Sequence, residues 1–478
     1  MNIKAIAHIL GIVLRFEGLF MLIPLAVSAY YADGLWRSFA IPIFICILAG
    51  FILGFYAEKE SVFYAKEGFI IVAVSWIILS AMGALPFWMS GYIHSYVDAL
   101  FETISGFTTT GASILNNVQA LPRSLLFWRS ITHWIGGMGV LVFIMAVLPM
   151  TGGYNMHLMR AESPGPNVGK LVPKARETAI ILYAIYVVIT LFEFLFLYIG
   201  GMPLFDAVTT SFATAGTGGF GILNDSMASY SGFLQNTVAV FMVIFGVNFN
   251  IYYLIITHKT AAVLKSEEVK AYILIIFTST MAIAANIYTL YGNIKDALQY
   301  SFFQVASIIT TTGFSTADFN KWPVFSQTIL VILMFIGACA SSTGGGIKVA
   351  RILIYLKLIK KELRSFVHPN SVRAIKLDGR SVSKETSAAT GAFLMLYAFV
   401  FFVSVLVISL DNFDFTTNFT AVAATINNIG PGLCEVGPAS NFSGFSDLSK
   451  FVLMFDMLAG RLELFPLLVL FAPRSWKR

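Results

Sequence analysis

Four glycine-containing stretches carry the residue types in this sequence that could do chemistry. Aligned on one glycine each, they read DALFETISGFTTTG (98–111), DAVTTSFATAGTGG (206–219), YSFFQVASIITTTG (300–313) and TNFTAVAATINNIG (417–430). Their last residues are small, uncharged and often hydroxylated. When several such segments meet on one axis, their backbone carbonyls can replace the hydration shell of a cation. Glycine suits a ring of this kind because it adopts positive φ at little steric cost, which lets successive carbonyls turn inward.

The register of the four stretches decides between a pore and an ordinary turn. A single TTTG sequence is most often a helix-capping turn. Here, however, each stretch lies between two apolar spans on the same side of the membrane, and a small residue stands six places before each aligned glycine. Those small residues are Ser105, Ala213, Ser307 and Ala424. The shared register therefore favours a pore assembled from four similar parts.

Composition places the whole chain in lipid. Of its 478 residues, 57% are hydrophobic and 12% are charged, whereas soluble domains carry about 25% charged residues. The net charge of +6 comes from basic residues between apolar spans, which is typical of membrane topology and does not indicate nucleic acid as a partner. Three cysteines and six histidines are scattered without metal-ligand spacing, which argues against a membrane enzyme or a structural metal centre.

Ten segments are long and apolar enough to cross a bilayer, which takes about 20 residues. They lie near 5–31, 36–56, 68–91, 122–149, 177–200, 231–257, 270–291, 324–356, 387–410 and 449–472. Lys and Arg concentrate on one side if the N-terminus is cytoplasmic, and this predicts that both termini are inside. In the first span, Arg15 and Glu17 are too costly to face lipid, so we expect them to face protein in a structural role.

The sequence thus predicts an all-α integral membrane fold with ten transmembrane helices. Eight of them form a fourfold pseudo-repeat of helix, re-entrant pore helix, filter and helix around a central pore, and two N-terminal helices lie outside it. The predicted units are residues 1–60 for the two N-terminal helices, then 61–165, 166–265, 266–380 and 381–478 for pore repeats 1 to 4, the third of which contains an intramembrane loop.

That loop is the stretch GACASSTGGGIK (337–348), which interrupts the eighth span with small residues. It predicts a helix broken within the membrane, whose free backbone groups need protein or water beside them. The alternative is a close-packed seam of small residues. In GRLELFP (460–466), Arg461 is too costly to face lipid. A salt bridge from Arg461 to Glu463 is disfavoured, because residues two apart on a helix point away from each other.

With these motifs the chain resembles, over its whole length, the Trk/Ktr/HKT superfamily of potassium transporters, and within it the TrkH-type membrane subunits of bacterial Trk systems. The resemblance implies a potassium filter formed by Thr109, Thr110, Gly111, Thr217, Gly218, Gly219, Thr311, Thr312, Gly313, Asn428, Ile429 and Gly430. The K⁺ ion is expected at Thr110, Gly111, Gly218, Gly219, Thr312, Gly313, Ile429 and Gly430. Glycine at position 111, where sodium-conducting plant members have serine, favours potassium.

The resemblance also implies a gate and partners. The loop is expected to close the pore beneath the filter, with Gly344, Gly345, Gly346, Lys348 and Arg461 as gate residues. A homodimer embedded in membrane lipid is expected, with a cytoplasmic ring of TrkA-type regulatory subunits. The chain has no dinucleotide-binding fingerprint, so any nucleotide would bind the partner, and K⁺ is the one ion expected in this chain. The implied location is the bacterial inner membrane.

The predicted function is potassium uptake down the electrochemical gradient through a selective pore, without enzymatic chemistry. An inside-negative potential of 100 mV contributes about 2.3 kcal/mol per charge to such uptake. The alternative is a secondary transporter that couples K⁺ to Na⁺ or H⁺. That alternative predicts two inverted halves in place of four quarters, and usually a carboxylate at mid-membrane.

Overall fold

The computed structural model describes residues 3–55, 65–139, 175–368 and 374–472, and the protein is built from helices throughout these ranges. In chain order the α-helices are α1 (Ile3–Tyr31), α2 (Trp36–Gly54), α3 (Ala65–Gly83), α4 (Leu85–Met89), α5 (Tyr96–Phe107), α6 (Arg123–Met138), α7 (Ala175–Ile199), α8 (Leu204–Ala215), α9 (Gly232–Phe245), α10 (Phe249–Ile256), α11 (Thr260–Lys265), α12 (Glu267–Tyr291), α13 (Ile294–Ile309), α14 (Val324–Ile336), α15 (Val349–Val367), α16 (Lys384–Ile408), α17 (Phe415–Ile426), α18 (Asp447–Arg461) and α19 (Phe465–Val469). Within the described ranges, the only strands are β1 (Lys376–Leu377) and β2 (Arg380–Ser381), which pair antiparallel.

The long helices confirm a multi-pass membrane protein. By length and composition, six helices of the described part could each cross a membrane, and a seventh span results if a bent pair counts as one. The six are α1, α2, α3 continued through α4, α7, α12 and α16. Much of the predicted fourth span at 122–149 lies outside the described residues. The count of ten spans therefore remains a prediction.

Two predicted continuous spans are interrupted. The segment 231–257 forms two helices, α9 and α10, which meet at an angle of 88°. The segment 449–472 breaks after α18, because Glu463 and Leu464 adopt positive φ and start the short helix α19 in a new direction. The break predicted at 337–348 is present, since α14 ends at Ile336 and α15 begins at Val349.

Four short helices, α5, α8, α13 and α17, lead into the four glycine-containing stretches. The C-terminal halves of these helices are almost completely buried, so they end inside the bundle. Glycines on neighbouring helices allow this close approach. A Cβ on Gly136 of α6 or on Gly460 of α18 would lie within 3.0 Å of the terminal carbonyl oxygen of α5 or α17, respectively. The irregular segments after the short helices therefore lie against protein.

The charged pair of the first span faces protein, as expected. Glu17 is 2% exposed, and its carboxyl group lies against Gly83 at the end of α3. The Arg15 side chain donates a hydrogen bond to the Gly11 carbonyl (3.1 Å), and its guanidinium lies 5.5 Å from the centre of the Phe51 ring of α2. Arg15 therefore helps join α1 to α2, while the Glu17 carboxyl group is buried beside the end of α3.

Candidate functional site

The ends of the four short helices share one backbone conformation. We name residues 108–111, 216–219, 310–313 and 427–430 glycine turns 1 to 4. In each turn, the second and fourth residues have positive φ and the first and third do not. The second residues are Thr109 (55°), Thr217 (53°), Thr311 (60°) and Asn428 (54°), and the fourth are Gly111 (78°), Gly219 (76°), Gly313 (86°) and Gly430 (97°). Three threonines in a region that β-branched residues rarely adopt indicate a conformation kept for function.

One hydrogen bond closes each of these turns. The N–H of the third residue donates to the carbonyl five residues earlier. The four bonds are Thr110 to Ser105 (2.9 Å), Gly218 to Ala213 (2.9 Å), Thr312 to Ser307 (2.9 Å) and Ile429 to Ala424 (2.8 Å). The acceptors are the four small residues that the sequence alignment placed in register. This pattern is a left-handed helix cap, so the aligned stretches are alike in structure as well as in sequence.

The four aligned glycines meet one another in a closed cycle. A Cβ on any one of them would lie within 3.0 Å of a carbonyl oxygen in the next turn, closer than real Cβ atoms approach. The contacts are Gly111 with Gly218, Gly219 with Thr312, Gly313 with Ile429 and Gly430 with Thr110. All four glycines also line one cavity of about 220 Å³. The turns therefore surround one axis, and any side chain at these positions would collide with the neighbouring backbone.

All twelve predicted filter residues lie in these turns. They are buried except for Gly111, Gly219 and Gly313, which are half-buried and line the cavity. Among the described residues, no group of three His, Cys, Asp or Glu side chains could hold a metal ion. The atoms of the turns that could act as ligands are thus neutral oxygens. Carbonyl oxygens in such a ring suit a weakly held monovalent cation better than fixed carboxylates would.

Threonine hydroxyls in glycine turns 1 and 3 brace the turns from within. The Thr108 hydroxyl donates to the Ile104 carbonyl (2.6 Å) and lies 2.8 Å from the Thr110 hydroxyl. The same 2.8 Å pair joins Thr310 to Thr312. The first and third hydroxyls of turns 1 and 3 bond to each other, and the backbone oxygens are the candidate ligands that all four turns share.

Glycine turn 4 uses asparagines for the same purpose. The Asn428 amide donates to the Thr110 hydroxyl (2.9 Å) and to the Met457 carbonyl (2.9 Å), so it ties turn 4 to turn 1 and to α18. The Tyr397 hydroxyl donates to the Asn427 side-chain carbonyl (3.0 Å). The sequence departs here from the threonine-rich pattern, and the longer amide side chains reach partners outside their own turn.

A buried ion pair, which the sequence reasoning missed, fixes the segments that follow turns 1 and 2. Arg129 of α6 donates to Glu102 of α5 (2.7 Å) and to the Gly221 carbonyl (3.0 Å). Glu102 also accepts a hydrogen bond from the Ile114 N–H (3.0 Å). Burying this pair is costly unless its hydrogen bonds are satisfied. A charge inside each of two apolar segments was the only indication of it in the sequence.

The loop 337–348 lies against the opposite face of the turns from the cavity. A Cβ on Gly344 would lie 2.7 Å from the Thr310 carbonyl oxygen, and one on Gly345 would collide with the Asn427 carbonyl. The Gly345 N–H donates to the Thr311 hydroxyl (2.6 Å). The loop therefore contacts turns 3 and 4 directly, through two of the predicted gate residues.

Arg461 connects this loop to glycine turn 1. Its guanidinium donates to the Thr343 carbonyl (2.8 Å) and to the Gly137 carbonyl (2.7 Å) at the end of α6, and it lies 3.5 Å from the Thr109 hydroxyl. Glu463 forms an ion pair with Arg351 of α15. Arg461 and the loop thus meet on the face of the turns opposite the cavity.

The other predicted gate residues shape the loop. The Lys348 ammonium donates to the Gly344 carbonyl, and Gly346, at a φ of +79°, packs on Gly337. The break in α9–α10 satisfies much of the loop backbone. The Cys339 N–H donates to the Gly246 carbonyl (3.0 Å), and the Phe249 N–H donates to the Ser341 carbonyl (3.0 Å). Two broken helices that complete each other fit a helix broken in the membrane better than a small-residue seam.

A bundle of membrane-crossing helices, built around short helices that end in a ring of glycine turns, defines a multi-pass membrane transport protein. The model of one transport family, described as "TrkH: Cation transport protein", matches residues 36–478, and the chain belongs to this family. It is therefore a transport protein and not an enzyme, as the sequence predicted.

Similar proteins cover the whole chain. The Trk system potassium uptake protein TrkH of Salmonella typhimurium is 39% identical over 487 residues, which span 100% of both chains. The Trk system potassium uptake protein TrkG of Escherichia coli is 33% identical over 489 residues, 100% of this chain and 99% of that one. The crystal structure of the potassium transporter TrkH from Vibrio parahaemolyticus matches with a TM-score of 0.88 at 35% identity and covers 100% of both chains.

Proposed function

We propose that this chain is the potassium-selective, ion-conducting membrane subunit of a Trk-type uptake system. The closed cycle of contacts among Gly111, Gly219, Gly313 and Gly430 is the observation that carries this proposal. It brings four segments of uncharged backbone to one axis, as a ring of carbonyl ligands requires. The relatives named as potassium uptake proteins support K⁺ as the ion.

In this mechanism, hydrated K⁺ enters the 220 Å³ cavity and exchanges its water for carbonyl oxygens of the ring. The proposed ligands are Thr110, Gly111, Gly218, Gly219, Thr312, Gly313, Ile429 and Gly430. The four short helices end at the ring, so the negative ends of their dipoles favour a cation there. A membrane potential of 100 mV, negative inside, supplies about 2.3 kcal/mol per ion and needs no second substrate.

The proposed architecture has ten spans and four pore repeats at 61–165, 166–265, 266–380 and 381–478, after two N-terminal helices within 1–60. The common conformation of glycine turns 1 to 4 supports this division. With the N-terminus inside, the basic segments between spans face the cytoplasm, which agrees with the positive-inside rule. We assign the protein to the bacterial inner membrane, with both termini cytoplasmic.

The loop 337–348 and Arg461 form the proposed gate. Their contacts with Thr311, Asn427 and Thr109 place neutral backbone and one positive charge on the face of the ring opposite the cavity. A fixed positive charge beside the ion path raises the barrier to cations. Opening the gate then requires the loop to leave the ring, which we assign to a cytoplasmic, nucleotide-binding regulatory subunit of the TrkA type acting on a homodimer.

A secondary transporter that couples K⁺ to Na⁺ or H⁺ is the second candidate. Three buried carboxyl groups within the predicted spans favour it, namely those of Glu17, Glu193 and Asp456. None of these three residues lines the cavity that the four glycines share. An acid that couples two ions would need to contact the ion path, so we place conduction first.

Uptake of ⁸⁶Rb⁺ into proteoliposomes loaded with K⁺ tests the proposal. With purified protein and no Na⁺ or pH gradient, we expect uptake that external K⁺ inhibits and external Na⁺ does not. Uptake that appears only when a Na⁺ or pH gradient is imposed would favour the coupled transporter. Equal inhibition by K⁺ and Na⁺ would contradict the selective ring.

A further inference from the structure

Glycine turn 2 lacks the hydroxyl–hydroxyl brace that turns 1 and 3 have. Turns 1 and 3 carry threonines at their first and third positions, joined by hydroxyl–hydroxyl bonds of 2.8 Å. Turn 2 has glycine at both of those positions, Gly216 and Gly218. Its backbone nevertheless adopts the same alternation of φ as the others. Within the turn, the Thr217 hydroxyl donates to the Gly216 carbonyl (2.6 Å). Because glycine resists a fixed conformation more than any other residue, contacts from outside the turn would add to the support that this bond gives.

His133 of α6 fills the space that the missing threonine leaves. A Cβ on Gly218 would lie within 3.0 Å of three atoms of the His133 ring, and a Cβ on Gly216 would collide with the His133 carbonyl. The ring is fully buried. Gly218 is not in the left-handed region, so its backbone could accept a side chain. The histidine ring, and not the conformation, excludes a side chain at position 218.

The His133 ring also makes two hydrogen bonds that span two glycine turns. Its Nδ1 lies 2.7 Å from the Gly106 carbonyl oxygen in α5, just before turn 1. Its Nε2 accepts from the Phe220 N–H (3.2 Å), just after turn 2. Because Nε2 accepts, Nδ1 must carry the proton and donate. A neutral imidazole of this tautomer satisfies one acceptor beside turn 1 and one donor beside turn 2.

Two side chains of α6 contact the Phe220 ring. The His133 ring lies 4.2 Å from the Phe220 ring centre, and the Arg129 guanidinium lies 3.8 Å from it on α6, one helical turn earlier. Arg129 is fixed in turn by Glu102. The segment immediately after Gly219 is thus in contact with two side chains of α6, one of which, His133, also bonds to the Phe220 N–H.

We propose that His133 is a positioning residue for ion selectivity, which replaces the absent threonine brace of glycine turn 2 and couples turn 2 to turn 1. The inference rests on the proposed potassium conduction, because it assigns His133 a share in the K⁺ over Na⁺ discrimination of that ring. His133 does not contact the ion. It acts by fixing the carbonyls of Gly218 and Gly219, whose positions determine how well the ring replaces water around K⁺.

Two substitutions of similar size separate this role from simple packing. Gln in His133→Gln carries both a donor and an acceptor, whereas Leu in His133→Leu fills space without either. Reversal potentials of the full-length protein in planar bilayers give the K⁺/Na⁺ permeability ratio, and thermal unfolding in detergent reports the fold. We expect His133→Leu to lower the permeability ratio about tenfold, because it leaves the buried Phe220 N–H without an acceptor. We expect the ratio of His133→Gln to stay within about twofold of the wild type.

A ratio for His133→Leu equal to that of the wild type would overturn the proposal, even if the unfolding temperature falls. Equal losses of selectivity in the Gln and Leu variants would also overturn it, because hydrogen bonding would then be irrelevant. The proposed function fails in a different way, since the wild-type protein itself would then conduct no K⁺ or would not distinguish it from Na⁺.

A double substitution gives an independent test of the proposal if His133→Leu does not fold. Gly218→Thr alone directs a side chain into the His133 ring, and we expect it to abolish selective K⁺ flux. Combining it with His133→Ala removes the collision and returns a hydroxyl to the third position of turn 2. We expect the double variant to conduct at least about tenfold more K⁺ than Gly218→Thr alone. A double variant no better than Gly218→Thr would contradict His133 as the occupant of the threonine site.

Discussion

The ring of glycine turns and the loop 337–348 are both irregular, glycine-containing backbone inside a helical bundle, yet they are held in opposite ways. Each glycine turn is closed by its own short helix, through the same hydrogen bond of 2.8–2.9 Å, and meets the next turn at a glycine. The loop occurs once, and partners far away in the sequence hold it, including Gly246, Thr311 and Arg461.

We propose that this difference separates a rigid part from a movable part. A side chain on any one of the four glycines would collide with the next turn, because the contacts form a closed cycle. The loop is attached by hydrogen bonds to side chains and to the backbone at the break between α9 and α10. In the proposed gate, these bonds break while the four turns keep their own. A filter must keep its geometry, and a gate must give its geometry up. The substitutions below test whether the two parts behave in this way.

The largest effect is expected from a side chain in the ring. In Gly111→Ser or Gly313→Ser, the new Cβ meets the carbonyl oxygen of Gly218 or Ile429. Overpacking of about 1–3 kcal/mol corresponds to a loss of about tenfold or more in K⁺/Na⁺ permeability ratio. Reversal potentials in bilayers measure the ratio.

Gly91→Ser is the matched control for the ring substitutions. Gly91 has a φ of +77°, almost the value of Gly111, but nothing lies within 4 Å of its Cβ position. We expect this variant to keep normal selectivity while it bears the same backbone strain. If the serines at 111 and 313 leave the permeability ratio unchanged, the ring does not select ions.

The next largest effect is expected from detaching the loop. Deleting residues 340–345 removes the contacts with turns 3 and 4, and Gly345→Ala places a methyl group against the Asn427 carbonyl. Both changes should raise basal ⁸⁶Rb⁺ uptake without the regulatory subunit, by about tenfold for the deletion and severalfold for the substitution. Gly391→Ala in α16, where nothing lies within 4 Å of the added Cβ, should not change uptake.

The two loop variants also test whether the loop contributes to selectivity. They should leave the K⁺/Na⁺ permeability ratio as it is in the wild type, because turns 1 to 4 keep their own hydrogen bonds. A loop variant that conducts more but no longer selects would show that the loop is part of the filter. Reduced uptake in both loop variants would remove the gate from the proposal.

A smaller increase in basal uptake is expected for Arg461→Ala. The guanidinium supplies hydrogen bonds to the Thr343 and Gly137 carbonyls, and bonds to a charged group contribute about 1.5–3 kcal/mol each. Water can replace part of this hydrogen-bond energy, so we expect basal uptake to increase by about threefold to tenfold. Arg461→Lys keeps the charge and loses the two-pronged geometry. Uptake of the Lys variant close to the wild type would assign the effect to charge, and uptake close to Ala would assign it to the hydrogen bonds.

The sequence predicted the repeated features better than the unique ones. Alignment on the glycines identified all four turns, because the same backbone conformation demands glycine and a small residue at fixed spacing. The interruption at 337–348 was also visible in its small residues. The 88° bend between α9 and α10 was missed because 231–257 contains no charged residue and is long enough for one continuous span. The side chain of Asn248, which caps α10 by accepting from the Asn250 N–H (3.0 Å), was the indication.

The side chains that support the ring could not be read from the sequence. Arg129 and Glu102 lie 27 residues apart, and His133 bonds to residues 27 and 87 positions away. Such contacts depend on which helices pack together, and a single sequence does not state this. The direction of the threonine hydroxyls was also not predictable, because it follows from the left-handed residue in each turn.

The smallest effect on selectivity is expected at the N-terminal end of a short helix, because the glycine turn lies at the other end. Asp414 caps α17 by accepting from the Thr417 N–H (3.0 Å). Its hydrogen bond with the Thr417 hydroxyl lowers the pKa of the Asp414 carboxyl. Asp414→Ala should therefore reduce stability by about 0.5–2 kcal/mol while the permeability ratio stays unchanged, because the closing bond of turn 4 lies at the other end of α17. Thermal unfolding in detergent measures the loss.

The lowered pKa of Asp414 determines whether the stability that this cap contributes rises or falls with pH. A carboxyl whose pKa is lower in the folded state stabilises the fold above its unfolded pKa of about 3.9, and this stabilisation disappears as the pH falls through the folded value. Asp414→Asn keeps a capping oxygen but cannot titrate, so it should match the wild type at pH 7 and lose less stability between about pH 5 and pH 3. Ser95→Ala, at the start of α5 where the side chain makes no capping bond, should change neither property. If Asp414→Ala altered selectivity as strongly as Gly111→Ser does, the geometry of the ring would depend on the N-terminal ends of the short helices. The proposal that the ring is rigid by itself would then be wrong.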